Sequence, residues 1–95
     1  MQIMGIAVNG RSYKAFEGEI VPGSSLVFIM GSKGFIMCGY LNIETAEKMG
    51  NIAAIATGVK TVDDMLKAKI VAVTKAAEKA GVKPGMAVVD ALKKI

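Results

Sequence analysis

The sequence predicts an α+β domain: an N-terminal antiparallel β-sheet of about four strands, then a mainly helical half with one further short strand. Three observations lead there. Up to residue 42 the chain runs in short β-branched and aromatic stretches separated by turn signals. Beyond it, cap residues, lysines at helical spacing and glycine stops take over. And 95 residues fill one domain with one core, so 1–42 is read as a β-rich oligomerisation part and 43–95 as a mainly helical part of a single domain, 1–95.

The elements follow in order. Ile3–Val8 reads as a strand, and Asn9-Gly10 behind it is a two-residue hairpin signal because both residues tolerate positive φ. Arg11–Ile20 returns as the second strand, with Tyr13, Ala15, Glu17 and Glu19 on one side and Phe16, Gly18 and Ile20 on the other. Val21-Pro22-Gly23-Ser24 is a turn: proline presets φ at its second position and glycine supplies positive φ at its third. Ser25–Met30 and Phe35–Leu41 are two further strands, joined by Gly31-Ser32-Lys33-Gly34.

These last two strands lack polar alternation. Leu26, Phe28 and Met30 oppose Val27 and Ile29; Phe35, Met37 and Leu41 oppose Ile36, Cys38 and Tyr40. A solvated antiparallel hairpin alternates apolar with polar, so here both faces call for cover. Helices from the second half can cover one face. The chain has no second sheet for the other, and the expectation is a sheet from another subunit packed there.

In the second half, Asn42 caps a short helix over Ile43–Met49, stopped by Gly50. Ile52–Thr57 is a short apolar strand. Thr61 caps a helical turn over Val62–Lys67, with Asp64 in the place of a capping-box acid. Residues 70–80 read as a helix with Ile70, Val73 and Ala77 on one face and Gly81 as its stop; Met86–Lys94 reads as the closing helix.

Composition supports self-association. Ala, Val, Ile, Leu, Met, Phe, Cys and Gly make up 59 of the 95 residues, against a usual apolar share of about 45–50%. A chain this short has little interior in which to hide the excess, and exposed apolar surface marks contact with another protein. Small domains are otherwise held by disulfides or metals. Cys38 has no second cysteine to pair with, and there is no histidine. Assembly with further copies of itself is the support that is left.

Several function classes are excluded or disfavoured. Without histidine there is no Ser-His-Asp or Cys-His arrangement and no imidazole metal ligand. Neither a dinucleotide fingerprint nor a Walker loop is present. No metal and no cofactor is expected. The net charge of +4 comes with seven lysines from Lys67 to Lys94, but all five aromatics lie at or before Tyr40, so the stacking partners of a nucleic-acid groove are absent from the basic part. Nucleic acid is not expected as a partner. The apolar stretch Val21–Ile43 is broken by Pro22, Gly23 and the Gly31–Gly34 loop; Lys33 at its middle would cost about 2.5–3.5 kcal/mol in a spanning helix. No membrane span and no basic signal-peptide start is read, and a lone free thiol makes the cytoplasm the expected compartment.

The remaining candidates for chemistry are few. Cys38, in an apolar strand, is either a small buried hydrophobe or a thiol nucleophile helped by Lys33. Gly39 beside it marks a bulge or a close approach of ligand or backbone. Gly58, Lys60 and Thr61 lie between a strand end and a helix start, a place suited to an anion, although Asp63 and Asp64 in the same turn would repel one. Asp63 is equally an ordinary dipole-complementing acid.

The segment Gly31–Asn42 resembles the signature hairpin of the YunC-like family, small bacterial and archaeal proteins classed as a domain of unknown function. Thr57-Gly58-Val59-Lys60-Thr61-Val62-Asp63-Asp64-Met65-Leu66, then Ala76–Gly81, Pro84-Gly85-Met86 and Ala91-Leu92, are similar in the same order. The resemblance implies an N-terminal β region that makes a tetramer, rather than a dimer, and carries no activity, cofactor or catalytic residue with it. The functional expectation is therefore an oligomeric, non-catalytic binding or scaffold module. The alternative is a small-molecule-binding protein or enzyme with a Cys38 thiol site at a subunit interface.

Overall fold

Among the described residues six strands form one mixed sheet in sequence order: β1 (Gln2–Val8), β2 (Arg11–Val21), β3 (Ser24–Met30), β4 (Gly34–Met37), β5 (Ile52–Ile55) and β6 (Ala72–Val73). The computed structural model describes residues 2–21, 24–39 and 43–95. Among them the helices are short: α1 (Ile43–Lys48), α2 (Val62–Lys67), α3 (Lys75–Lys79) and α4 (Val88–Ala91), the last running into a 3-10 turn over Leu92–Lys94.

The α+β class is as expected. The first hairpin turns on Asn9 and Gly10, both at positive φ, and the register Val8↔Arg11 to Gln2↔Glu17 follows from that tight turn. β2–β3 and β3–β4 are also antiparallel, with a register shift between Glu19 and Val21. The expected Asn42 cap, the Pro22-Gly23 turn centre, and Tyr40 and Leu41 lie outside the described residues.

The sheet does not stop at four strands. β5 pairs with β4 in parallel, Gly34↔Ile52 to Met37↔Ile55, and α1 makes the crossover between them. β6 then pairs antiparallel with β5. The helix expected over residues 70–80 is therefore only its second half. The Ile70 N–H donates to the Met86 carbonyl, Val71 to Ile55 and Thr74 to Ala53. Ile70, Val71, Val73 and Thr74 are β-branched and stiff at χ1, so the sheet edge takes them. Thr74 ends the strand and starts α3. Its buried hydroxyl accepts from the Ala77 and Ala53 N–H groups, each at 3.2 Å, and donates to the Asn51 carbonyl at 2.7 Å. The closing helix is likewise shorter than expected, a single α turn and a 3-10 turn.

The two faces of the sheet differ. On one, Tyr13, Ala15, Val27, Ile29, Ile36, Cys38 and Ala54 join Val62, Met65, Ile70, Ala77, Val88 and Leu92 in the main core. The loop end of β1–β2 is tied to the last residues on this side. Asn9 Nδ2 donates to the Val89 carbonyl at 3.0 Å, Arg11 Nη1 to Lys93 at 2.8 Å and the Tyr13 hydroxyl to Leu92 at 2.8 Å. On the other face α1 covers only the β4–β5–β6 side, where Met37, Ala46, Ala53 and Ile55 make a second, smaller cluster. β5 is flanked by both α1 and α3, and its alanines leave room for the two helices to approach.

Candidate functional site

Two places on the fold gather the residues marked by the sequence, and they lie at opposite ends of β4.

The first is where the parallel strands β4 and β5 end. In parallel sheets this carboxyl end is where ligands are usually received. Cys38 and Gly39 leave β4 here, and Thr57 and Gly58 leave β5 beside them. A Cβ at Gly39 would meet only the Thr57 methyl, at 3.5 Å, which is ordinary contact, so Gly39 is not forced by a close backbone approach. The Cys38 thiol is 2% exposed and lies in the main core. Its Sγ accepts from the Val27 N–H at 3.4 Å, while the Cys38 N–H donates to the Val27 carbonyl at 3.0 Å. These contacts make it a packed, hydrogen-bonded small hydrophobe of β4.

Gly58 has φ +74 and turns the chain toward α2. Thr61 then caps that helix: its hydroxyl accepts from the Asp64 N–H at 3.0 Å. The Asp64 carboxylate reaches back to accept from the Lys60 N–H at 3.1 Å. This is a capping box shifted by one residue, with Asp in place of the longer Glu. Asp63 pairs with Lys67 at 3.2 Å on the solvent side of the helix. The Glu17 carboxylate of β2 accepts from the Val62 N–H at 3.0 Å. Three carboxylates thus serve this short helix start and leave it poorly suited to a further anion. Glu17 was legible only as a polar member of an alternating strand; nothing local marks it as a cap for a helix 45 residues on.

The second place is the β3–β4 loop, Gly31-Ser32-Lys33-Gly34. The chain packs closely around it. A Cβ at Gly31 would lie 2.6 Å from the Ile95 backbone oxygen, and one at Gly34 would run into the Ile52 backbone oxygen. The same Ile95 oxygen accepts from the Lys33 N–H at 2.6 Å and the Gly34 N–H at 3.2 Å. The two glycines are there because backbone passes where a side chain would be. Lys33 itself is exposed. It precedes β4 and Cys38 follows it, so at about 3.3 Å rise per residue they are on the order of 16 Å apart. The geometry therefore does not bring Lys33 to the thiol.

Beside this loop an open cavity of about 430 Å³ is lined by Phe28, Met30, Phe35 and Ile52 together with Lys33 and Asn51. It continues the uncovered face of β1–β3. There Ile3 is 68% exposed and Met30 39%, and the half-buried Phe16 and Phe28 stack with ring centroids 4.3 Å apart. Among the described residues no three metal-ligating side chains converge, and no helix is long and apolar enough to cross a membrane.

The model for the family described as "Domain of unknown function (DUF1805)" matches residues 37–95 of this chain. The chain belongs to that family. It is also similar to the uncharacterized protein YunC of Bacillus subtilis (strain 168), with 34% identity over 94 residues, covering 95% of this chain and 92% of YunC. The fold is similar to the crystal structure of TA1206, a protein of unknown function from Thermoplasma acidophilum. The identity there is 45% and the TM-score 0.92, over 98% of this chain and 90% of that one. The resemblance read from the Gly31–Asn42 hairpin and the Thr57–Leu66 segment is thus to the family found. The DUF1805 match begins inside β4, so Ile3, Phe16, Phe28 and Met30 of the uncovered face precede it, while both likenesses to whole chains include that face.

Proposed function

We propose that this chain is a homo-oligomeric, non-catalytic binding or scaffold module. Its copies meet through the uncovered apolar face of β1–β3 and form a tetramer rather than a dimer. One observation carries the reading: Ile3, Phe16, Phe28 and Met30 share the β1–β3 part of the face whose β4–β6 part α1 covers, and there Ile3 and Met30 are exposed while Phe16 and Phe28 stack half-buried. Contiguous apolar surface of this kind marks a protein contact. Sheet-on-sheet packing is the form of cover that leaves the hairpins unchanged. The cysteine, with no second one to pair with, fits work in the cytoplasm, and nucleic acid is not a partner in this reading.

Native mass spectrometry on the purified chain at micromolar concentration tests the assembly. A tetramer is expected, and a Phe16→Ser, Phe28→Ser double variant is expected to reduce it to smaller species while keeping its circular dichroism. A monomeric wild-type chain would overturn the proposal.

The place of Cys38, Gly39 and Gly58 at the carboxyl ends of β4 and β5 favours a second reading, a thiol-based ligand site or enzyme at a subunit interface, with Lys60, Thr61 and Asp63 at its rim. Iodoacetamide labelling of the native protein decides it. Alkylation of Cys38 at the rate of an accessible thiol is what that reading requires; a thiol that reacts only after unfolding removes it.

A further inference from the structure

We infer that the cavity beside Lys33 binds a small apolar molecule carrying a carboxylate, held by the Lys33 ammonium and the Asn51 side-chain amide. The inference gives a ligand class to the binding role proposed above and rests on that role, but not on the tetramer.

Three observations point there. The first is shape and lining. About 430 Å³ is within the range of small-molecule sites, which are apolar clefts with a few polar groups that fix orientation. Phe28, Met30, Phe35 and Ile52 supply the apolar walls, and Lys33 and Asn51 supply the polar groups.

The second is that those two polar groups are uncommitted. Among the described residues neither the Lys33 ammonium nor the Asn51 side chain has a hydrogen-bond or ion-pair partner within the chain. The other groups at this end are engaged. The Lys33 and Gly34 N–H groups hold the Ile95 oxygen, and the Asn51 carbonyl holds Thr74.

The third is charge. No Asp or Glu lines this cavity. None lines the neighbouring one of about 410 Å³ either, which shares Met30 and Gly31 with it and carries Lys14. The two lysines therefore flank the Gly31 loop with no Asp or Glu in either lining; the Ile95 oxygen on that loop is taken up by the Lys33 and Gly34 N–H groups. The matching ligand puts an apolar body on Phe28 and Phe35 and a negative group at Lys33. A second copy laid over this face repeats the same lysines and supplies no Asp or Glu from the cavity linings.

The test is titration of the full-length chain with 2-naphthoate and with its neutral counterpart 2-naphthamide. Binding is followed by calorimetry and by ¹H–¹⁵N spectra, with the oligomeric state measured in the same samples. Saturable binding of one naphthoate per chain is expected, with the largest shifts at the amides of Met30, Gly31, Gly34 and Phe35. Affinity is expected to fall about fivefold for 2-naphthamide and about fivefold for Lys33→Met, the loss of one partly exposed charge-assisted contact. Lys33→Arg retains binding, and Lys67→Met on α2 leaves it unchanged.

Naphthoate and naphthamide binding equally, Lys33→Met binding as well as the wild type, or no saturable binding would each overturn the inference. A monomer that binds naphthoate with this Lys33 dependence sinks the assembly and keeps the site; a tetramer that binds none does the reverse.

Discussion

The two faces of this sheet are made of similar residues and have different fates. On one, Val27, Ile29 and Ile36 are sealed under α2, α3 and α4. On the other, Phe16, Phe28, Met30 and Ile3 have apolar side chains of equal or larger size, yet Ile3 and Met30 are exposed, Phe16 is half-buried, and Phe28 is only partly covered beside the α1 cluster. The difference teaches that hydrophobicity along β3 is shared between two tasks. Val27 and Ile29 are sealed in the main core, while Phe28 stays half-buried and Met30 exposed on the other face.

Substitutions break or sharpen this contrast. The largest effect is expected on the sealed face: Ile29→Ala removes buried methyls from a position with no room to relax, and should cost about 3 kcal/mol in urea unfolding. A loss under about 1 kcal/mol would mean the helices do not pack as tightly as described. Gly34→Ala is expected next, at about 2–3 kcal/mol, because its Cβ runs into the Ile52 backbone oxygen and overpacking forces β4 and β5 apart. It tests whether the parallel pairing is needed for the fold. Thr61→Ala should cost about 1 kcal/mol through loss of the α2 cap. Asp63→Asn, which breaks only the exposed pair with Lys67, should change stability by less than about 0.5 kcal/mol. On the open face, Met30→Ser belongs with the small effects on the isolated domain. A loss as large as that of Ile29→Ala, at a concentration where the chain is monomeric, would erase the distinction between the faces.

Much of this was legible residue by residue. Asn9-Gly10 specifies its own turn, Thr61 and Asp64 specify their own cap, and the alternation separated Val27, Ile29, Ile36 and Cys38 from Phe28, Phe35 and Met37, while Leu26, expected with Phe28, packs against the main core. Such signals act over two to five residues, so the local sequence contains all the partners. The helix expected over residues 70–80 failed at its first half for the opposite reason. Ile70 and Val73 recur at helical spacing, but their backbone partners are Met86 and the residues of β5, which a local window does not contain. The candidate pair of Lys33 and Cys38 met the same limit: nearness in sequence became opposite ends of an extended strand. The cavity was not legible at all, since Asn51 and Ile52 reach Phe28 and Lys33 only through the β4–β5 pairing.

By itself, then, the sequence determined the α+β class, the first hairpin, the α2 cap, and an apolar share of 59 in 95 residues. Tertiary structure alone decided that β5 joins β4 in parallel, that Ile95 docks on the Gly31–Gly34 loop, that Glu17 caps α2, and which apolar face stays open. The physical reason is the range of the interactions. Turns and caps are satisfied within a few residues. Backbone pairing between residues far apart in the chain, such as Lys33 with Ile95, and the room left beneath a helix, depend on where the whole chain has folded.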